Sequence, residues 1–530
     1  MRSLGIVILF TAALSTRFAF VCDDAFISFR YARNLARGAG LRFNLGEHVP
    51  VEGFSNLGWV LYAALFEGLL LRPEFWLPLT SAVLGAVGVV GVYSIGRRHL
   101  GLSEPMALGA AALLGWNPAW AMWSTGGLAT VPFAVAVLLF FERVVLAERP
   151  SRGTVLVAGL LVMLLRIEGA AWVALILGLG AFEGPRHAER RWAAGWLVVA
   201  FVGYSVWRAW TFGTVLPHTA LVKVGMGAER IDRGLRYVAV FALTFGSPLV
   251  IFAALPTLVR ARWGRSIGGM LVATLAFGVL SGGDFLPMGR LLVVGLPFMA
   301  LGLAVVLQQL SSRIGIVAGG AAMLVLIGVA VLPASGLSIA PRELLVALHF
   351  RYTDFAPMSE FDRWVRTKEN QEGFAIRGRA LADYADPSDS LVAPAVGAVG
   401  YESGLFIYDQ HGLVTREVGL RAVPPGAPRR SPGHDKFVEA SYFSEHRPTY
   451  LHSKIVHGRR SARRMRELVE KWDLPLALQS DYAPTYIEIY VPGRIERHFL
   501  VLMQRVEEGE DAGIQWTNFF EHTRRLAADL

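Results

Sequence analysis

The sequence predicts a polytopic α-helical membrane protein with a C-terminal soluble α/β domain. The mean hydropathy is +0.44 and 54% of the 530 residues are hydrophobic. Apolar runs of membrane length recur between short charged loops in the first two thirds, which a soluble globule does not tolerate. From about Ser338, short apolar runs (LVAPAV, LFIYD and YIEIYV) alternate with polar segments, as strands do. We therefore predict a membrane module over residues 1–337 and an extracytoplasmic α/β domain over residues 338–530.

Apolar runs of about 17 to 25 residues predict about eleven membrane spans. They lie near residues 4–22, 74–96, 106–123, 127–146, 152–166, 168–183, 192–211, 236–259, 267–282, 288–310 and 314–333. The apolar segment 57–71 is interpreted as a helix that lies against the membrane, within an external loop of residues 23–73. This interpretation places the arginine clusters in cytoplasmic loops, as the positive-inside rule expects, and carries the C-terminal domain outside.

Charge and cysteine content exclude several classes of protein. The formal net charge of +9 is explained by arginines in cytoplasmic loops, so it does not indicate nucleic-acid binding. The single cysteine excludes an internal disulfide framework and a thiolate metal cluster. We interpret the first 22 residues as a retained helix, because Val21 before Cys22 is not the small residue that a processing site needs.

Two neighbouring carboxylates, Asp23 and Asp24, stand where the first predicted span ends. Three arginines follow on one face of a predicted helix that stops at two glycines: Arg30, Arg33 and Arg37, then Gly38 and Gly40. A carboxylate beside guanidiniums at a bilayer surface suits deprotonation of a hydroxyl next to a lipid-linked phosphate. The structural alternative is that the carboxylates cap the helix and the arginines reach lipid headgroups.

Other polar residues lie at the external ends of the predicted spans. They are Thr125, Arg166, Glu168, His218, Lys223, Asp284 and Arg290. Charges within a membrane are costly and usually face a polar cavity, so we predict that these residues line one external cavity. Gly282 and Gly283 are expected to end a span and expose the carboxylate of Asp284. A local Arg166–Glu168 ion pair and a simple loop histidine at position 218 remain alternatives.

External positive charges at Lys223, Arg230 and Arg233 are not explained by the inside bias, and phosphate or anionic-lipid binding would explain them.

Several segments in one order carry a family resemblance. They are DDAFISFRYARNLARGAGLRFNLGEHVPVEGFSN, WSTGGLATVPFA, LLRIEG, LPHTALVK, GGDFLPMGRLLVVGLP, VGAVGYESGLFIYDQHGLVTREVG and PGHDK. Together they resemble the GT-C superfamily of bacterial membrane glycosyltransferases, in particular the arabinofuranosyltransferases of mycobacterial cell-wall synthesis. The resemblance implies a multi-pass protein of the bacterial inner membrane, an extracytoplasmic active site and C-terminal domain, and a polyprenyl-phosphate sugar as donor.

By position, the resemblance implies that Asp23 or Asp24 is the catalytic base. It implies donor-phosphate or substrate binding for Arg30, Arg33, Asn56, Arg166, Glu168, His218, Lys223, Asp284 and Arg290. Two residues depart from the family pattern, Ala129 in place of a glutamate and His218 in place of an asparagine. No metal ion is required by the sequence, although a divalent cation is compatible with it.

The resemblance implies inverting transfer of a sugar, arabinofuranose, from polyprenyl phosphate to a cell-envelope glycan, as a terminal arabinan residue. One alternative keeps the enzyme class but changes the sugar, or the acceptor to a protein or an O-antigen. The other is a lipid-linked-glycan transporter or a non-catalytic scaffold. Transporters tend to have repeated halves, and the sequence has no such symmetry.

Overall fold

The computed structural model describes residues 2–183, 188–222, 227–351, 358–423, 431–458 and 460–529. The first of its two regions is helical. Its α-helices are α1 (Arg2–Arg17), α2 (Asp23–Ala36), α3 (Leu57–Gly68), α4 (Pro73–Arg98), α5 (Glu104–Gly115), α6 (Pro118–Trp123), α7 (Thr130–Phe141), α8 (Arg152–Leu165), α9 (Gly169–Phe182), α10 (Ala188–Phe212), α11 (His218–Val222), α12 (Ala228–Phe245), α13 (Ser247–Ala253), α14 (Leu255–Leu258), α15 (Gly264–Leu280), α16 (Leu296–Ile314) and α17 (Ile316–Val331). A π-helical turn (Glu142–Leu146) extends α7, and 3-10 turns (Arg290–Gly295 and Leu332–Ser335) precede α16 and follow α17.

Three of the described helical segments are long and apolar enough to cross a membrane: Pro73–Arg98, Arg290–Arg313 and Ile316–Ser335. Helices α12 and α13 would count as a fourth span if taken together, although they meet at an angle of 103°. The bend falls at Gly246, which has φ +68°, and Pro248 follows in the first turn of α13. Five shorter apolar helices accompany them: α3, α5, α8, α9 and α15. The count of eleven spans stays a prediction.

The second region combines helices with one sheet. Its helices are α18 (Arg342–Ala347), α19 (Glu360–Tyr384), α20 (Gly397–Ser403), α21 (Arg416–Leu420), α22 (Ser461–Lys471) and α23 (Ala512–Asp529), with 3-10 turns at Ala440–His446 and Leu476–Leu478. The strands are β1 (Ser390–Ala393), β2 (Phe406–Asp409), β3 (Tyr450–His457), β4 (Tyr482–Ile489) and β5 (His498–Arg505). The sheet order is β2-β1-β3-β5-β4; β1 pairs in parallel with β2 and β3, and β5 pairs antiparallel with β3 and β4.

The two faces of this sheet belong to different hydrophobic cores, because successive strand residues point to opposite faces. On β5, Leu500 and Leu502 join the core that continues into the membrane helices. Phe499, Val501 and Met503 join a separate core with residues of α22 and α23. The first face therefore fastens the sheet to the helical region, and the second is covered by the C-terminal helices.

Helix α2 lies at the junction of the two regions. It packs against α3 on one side and α20 on the other. Helix α20 begins after Val396 and is followed by Gly404, whose φ of +73° suits glycine. Because α2 begins with Asp23 and Asp24, this packing brings both predicted catalytic carboxylates to the boundary between the helical region and the sheet region.

Candidate active site

Asp24 and Arg290 form the centre of the candidate site. The Arg290 Nη1 lies 3.5 Å from Asp24 Oδ2, and the Asp24 side chain is 48% exposed. The same guanidinium is bound on its other edge by Asp284, with Nε–Oδ2 at 2.6 Å and Nη2–Oδ1 at 3.2 Å. Both side chains of the Asp284–Arg290 pair are 8% exposed. The site therefore has one accessible carboxylate, that of Asp24, beside the buried guanidinium of Arg290, which Asp284 holds through two hydrogen bonds.

The loop between α15 and Arg290 needs glycine at two places. Gly282 and Gly283 have φ values of +75° and +83°, which disfavour other residues. A Cβ on Gly283 would lie 2.9 Å from the Cβ of Tyr237, so the backbone approaches α12 closely. The prediction that these glycines follow a helix agrees with the end of α15 at Leu280. The expected exposure of Asp284 is wrong, because Arg290 binds the carboxylate in a buried pair.

A second buried ion pair holds the same loop from the C-terminal region. Glu360 Oε2 accepts the Met288 N–H at 2.6 Å, and Glu360 Oε1 lies 2.7 Å from Arg351 Nη1. Arg351 also donates to the carbonyl oxygens of Phe285 and Leu286, each at 3.0 Å. The charge of Arg351 holds the pKa of Glu360 below its usual value although burial acts to raise it. No sequence pattern indicated that the Arg351–Glu360 pair binds this loop, since both residues lie about seventy positions after it.

Asp23 is held differently from Asp24. Its two carboxylate oxygens accept the backbone N–H groups of Gly397, at 3.1 Å, and Ala398, at 2.7 Å, at the start of α20. Burial raises the pKa of Asp23 to about 6, while the Ala398 N–H and the nearby Arg377 guanidinium act in the opposite direction. Asp23 therefore anchors α2 to the sheet region, and Asp24 is the carboxylate with room for a substrate.

Arg166 and Glu168 lie next to the central pair. Arg166 Nε contacts Glu168 Oε1 in the local ion pair that the sequence left open. Both side chains line a cavity of about 10 Å³ together with Arg290 and Thr130. That is about the volume that one water molecule needs. The structure therefore brings together Asp24, Asp284, Arg290, Arg166 and Glu168, five of the predicted site residues.

Arg30 and Arg33 donate hydrogen bonds to backbone carbonyls of the protein. Arg30 is buried and donates to the carbonyls of Phe43 and Gly400, each at 2.7 Å, and of Leu405 at 2.6 Å, with a longer bond to the Asn44 Oδ1. These acceptors bind Nε, Nη1 and Nη2 of Arg30, so the guanidinium is not placed to make the predicted phosphate contact. Arg33 donates to the Tyr401 carbonyl at 2.6 Å and its Cζ lies 3.4 Å from the centre of that ring.

Three further predicted residues lie elsewhere. Asn56 is buried and accepts a hydrogen bond from Ser28 Oγ at 3.2 Å. His218 is buried, and its Nε2 donates to the Gly412 carbonyl at 2.8 Å. Burial lowers the pKa of His218, so the ring is neutral at pH 7. Lys223 lies outside the described residues.

Arg233 connects the central loop to the C-terminal region, a role that the sequence did not indicate. Its Nε donates to the Gly282 carbonyl at 3.1 Å, and its two terminal nitrogens bind Asp435 at 2.6 and 3.2 Å. Asp435 belongs to the PGHDK segment, which entered the resemblance without an assigned role. Arg230 packs on Gly282, and its buried Nε makes no hydrogen bond to any residue that the structure describes.

Within the described ranges, no group of three or more His, Cys, Asp or Glu side chains is arranged to hold a metal ion.

Comparisons with known proteins agree with this architecture. The profile of a domain of unknown function (DUF8728) matches residues 363–499. The terminal beta-(1->2)-arabinofuranosyltransferase of Mycobacterium tuberculosis is 28% identical over 241 residues, which is 42% of this chain and 37% of that protein. The match thus spans little more than a third of the relative's length.

Two solved structures share the fold. ArnT from Cupriavidus metallidurans bound to undecaprenyl phosphate superposes with a TM-score of 0.55 and 14% identity, over 94% of this chain and 97% of ArnT. The apo structure of the same protein gives a TM-score of 0.51 and 13% identity, over 95% and 98% of the two chains. Together with the apolar helices, this fold indicates a multi-pass membrane protein. The chain therefore resembles the GT-C glycosyltransferases, as its sequence motifs predicted.

Proposed function

We propose that this protein transfers an arabinofuranosyl residue from a polyprenyl phosphate to a hydroxyl of a cell-envelope glycan, on the extracytoplasmic face of the inner membrane. The observation that carries the proposal is the half-exposed Asp24 carboxylate beside the buried Arg290–Asp284 pair. The similarity to an arabinofuranosyltransferase supports the sugar, and the undecaprenyl phosphate bound to ArnT supports the lipid carrier.

Asp24 acts as the general base in this proposal. The acceptor hydroxyl loses its proton to Asp24, and its oxygen attacks the anomeric carbon of the donor sugar. The bond from the anomeric carbon to the phosphate oxygen breaks, and polyprenyl phosphate leaves with the bonding electrons. Because attack and departure occur on opposite faces, the configuration inverts. Arg290 fixes the position of Asp24, and Asp284 fixes Arg290, so the base needs no reorganisation.

The departing phosphate requires cations near Asp24. Arg230 is one candidate among the described arginines, because it packs on Gly282, two residues before Asp284, and its Nε has no hydrogen-bond acceptor there. Arg233 is less suited, since Asp435 binds both of its terminal nitrogens. Lys223, which lies outside the described residues, remains a proposed second ligand. Guanidinium and ammonium groups at this position would neutralise the charge that develops on the phosphate.

The test is sugar transfer by the purified protein in nanodiscs, with radiolabelled decaprenyl-phosphate arabinofuranose and an arabinan oligosaccharide. Asp24→Asn should lower kcat by about 10²- to 10⁴-fold, because it removes the base but keeps the side-chain size. Asp232→Asn is the matched control. Asp232 is 46% exposed and pairs with Arg236 at 2.9 Å, much as Asp24 is 48% exposed and pairs with Arg290. This control should keep full activity.

Three outcomes would overturn parts of the proposal. Full activity of Asp24→Asn would remove the assigned base. Tight donor binding without turnover in the unsubstituted protein would favour a transporter or scaffold. Turnover of another polyprenyl-phosphate sugar in place of arabinofuranose would retain the chemistry and reject the assigned sugar.

A further inference from the structure

A large cleft separates α19 from the start of the span α4. It has a volume of about 1060 Å³ and is lined by residues of both regions, among them Val21, Arg72, Glu74, Ile376 and Tyr490. We call it the α19 cleft. Its walls carry ion pairs, such as Arg72–Glu74 at 2.8 Å and Arg379–Glu402 at 2.9 Å.

Exposed apolar side chains stand on both sides of the α19 cleft. On the membrane side, Leu70 is 93% exposed in the turn before α4. On the other side, Tyr490 is 85% exposed and Ile495 fully exposed, in the turn that joins β4 to β5. We call these three residues the rim. Large apolar side chains at such exposure are unfavourable in water, so their grouping calls for a partner.

The position of α4 identifies that partner. Exposed apolar residues recur every fourth position along this helix, at Phe75, Leu79, Val83 and Val87. This spacing places them on one helix face, which is the face that a spanning helix turns to lipid. The stripe begins at Phe75, one residue after Glu74 of the α19 cleft wall and five residues after Leu70. The membrane side of the rim therefore continues directly into a lipid-facing surface.

The β4–β5 turn reaches the same level. Ile487 and Ile489, at the end of β4, line the α19 cleft together with Arg72 and Glu74. The chain that follows, with Tyr490 and Ile495, therefore lies at the end of the sheet nearest the start of α4. Arg494 of this turn also lines the α19 cleft. An apolar tip with a neighbouring guanidinium matches the composition of segments that lie in the lipid headgroup region.

We propose that the rim, Leu70, Tyr490 and Ile495, contacts the headgroup region of the bilayer, so that the α19 cleft opens at the membrane surface. The inference does not depend on the proposed transfer reaction, because it rests on exposed apolar groups and on the position of α4.

The test measures the depth of a fluorophore in proteoliposomes of phosphatidylethanolamine and phosphatidylglycerol. Bimane would be attached to Ile495→Cys and to Leu70→Cys, and the vesicles would contain lipids with a nitroxide on the headgroup. Leu476→Cys is the matched control. Leu476 is also 85% exposed, but it lies in the turn before β4, and the eight residues of β4 extend about 23 Å (seven rises of about 3.3 Å) from that end towards the rim. The only native cysteine, Cys22, is buried, so the unsubstituted protein serves as the labelling blank.

Quenching at positions 495 and 70 should exceed quenching at 476 by at least about twofold, because an interfacial segment lies within the headgroup layer. Equal quenching at 495 and 476 would overturn the proposal. Quenching at 70 but not at 495 would overturn it as well, since the sheet side of the rim would then stand away from the bilayer. All three substitutions replace exposed side chains, so the variants should fold normally and differences in quenching report the depth of the label.

Discussion

Replacing Asp284 by asparagine tests the central pair most directly. The substitution keeps the side-chain volume but removes the charge that holds Arg290 through contacts of 2.6 and 3.2 Å. Breaking a buried ion pair on one side costs about 3–5 kcal/mol, because the remaining charge stays buried. Asp24 still lies 3.5 Å from Arg290, and a half-exposed pair of this kind restores about 1 kcal/mol at most. We therefore expect a net loss of about 2–5 kcal/mol in the free energy of unfolding.

The assay is a double-mutant cycle, measured by tryptophan fluorescence during unfolding in mixed micelles. Its members are the unsubstituted protein, Asp284→Asn, Arg290→Met and the double variant. The double variant should be more stable than the sum of the single effects predicts, by about 2 kcal/mol, because neither partner is then left charged and buried. Additive effects, or a loss below about 0.5 kcal/mol for Asp284→Asn, would refute the assignment of a buried, energetically coupled pair.

Three further predictions concern the contacts around this pair. Glu360→Gln should lower transfer activity and cost about 3 kcal/mol of stability, because it leaves Arg351 buried without a carboxylate. Glu369→Gln, an exposed position on the same helix, should change neither quantity. If the two variants had equal effects on thermal unfolding and turnover, the role assigned to the Arg351–Glu360 pair would be wrong. Asp23→Asn should gain stability relative to the unsubstituted protein as pH rises from about 4 to 6. The folded-state pKa of Asp23 is about 6 against an ordinary 3.8, so its ionisation in this range lowers the free energy of unfolding of the unsubstituted protein only. A difference in Tm that is independent of pH would show that Asp23 is not desolvated. Arg30→Met should lower the free energy of unfolding by more than about 3 kcal/mol, because three buried carbonyls lose their donor. Arg37→Met, at the exposed end of α2, should lower it by less than about 0.5 kcal/mol in the same unfolding assay.

Local features of the site could be predicted from the sequence because their signals are local. Helix α2 starts at Asp23 and ends at Ala36, close to Gly38 and Gly40, which marked its end in the sequence. The glycines before Asp284 likewise marked the end of α15. The resemblance to the GT-C glycosyltransferases also followed from short motifs, and the comparisons confirmed it.

Partners distant in the chain could not be predicted. Arg30 is an arginine on the same predicted face as Arg33, and nothing near it in the sequence indicates that two of its acceptors lie 370 and 375 residues away. Asp23 and Asp24 are identical neighbours in sequence, and distant partners distinguish them: the start of α20 binds Asp23, and Arg290 contacts Asp24. The misjudged exposure of Asp284 has the same cause, because a charge at a helix end does not reveal whether a counter-charge covers it.

The contacts between α2 and α20 bear on the order in which the protein matures. Helix α2 leaves the ribosome early, yet the backbone groups that bind Asp23 and Arg30 belong to residues 397–405. Until that segment has been synthesised, Arg30 lacks two of its carbonyl acceptors and α2 lacks the partner that holds Asp23. A nascent chain that ends before residue 397 thus lacks the contacts that bring α2 and α20 together at the candidate site.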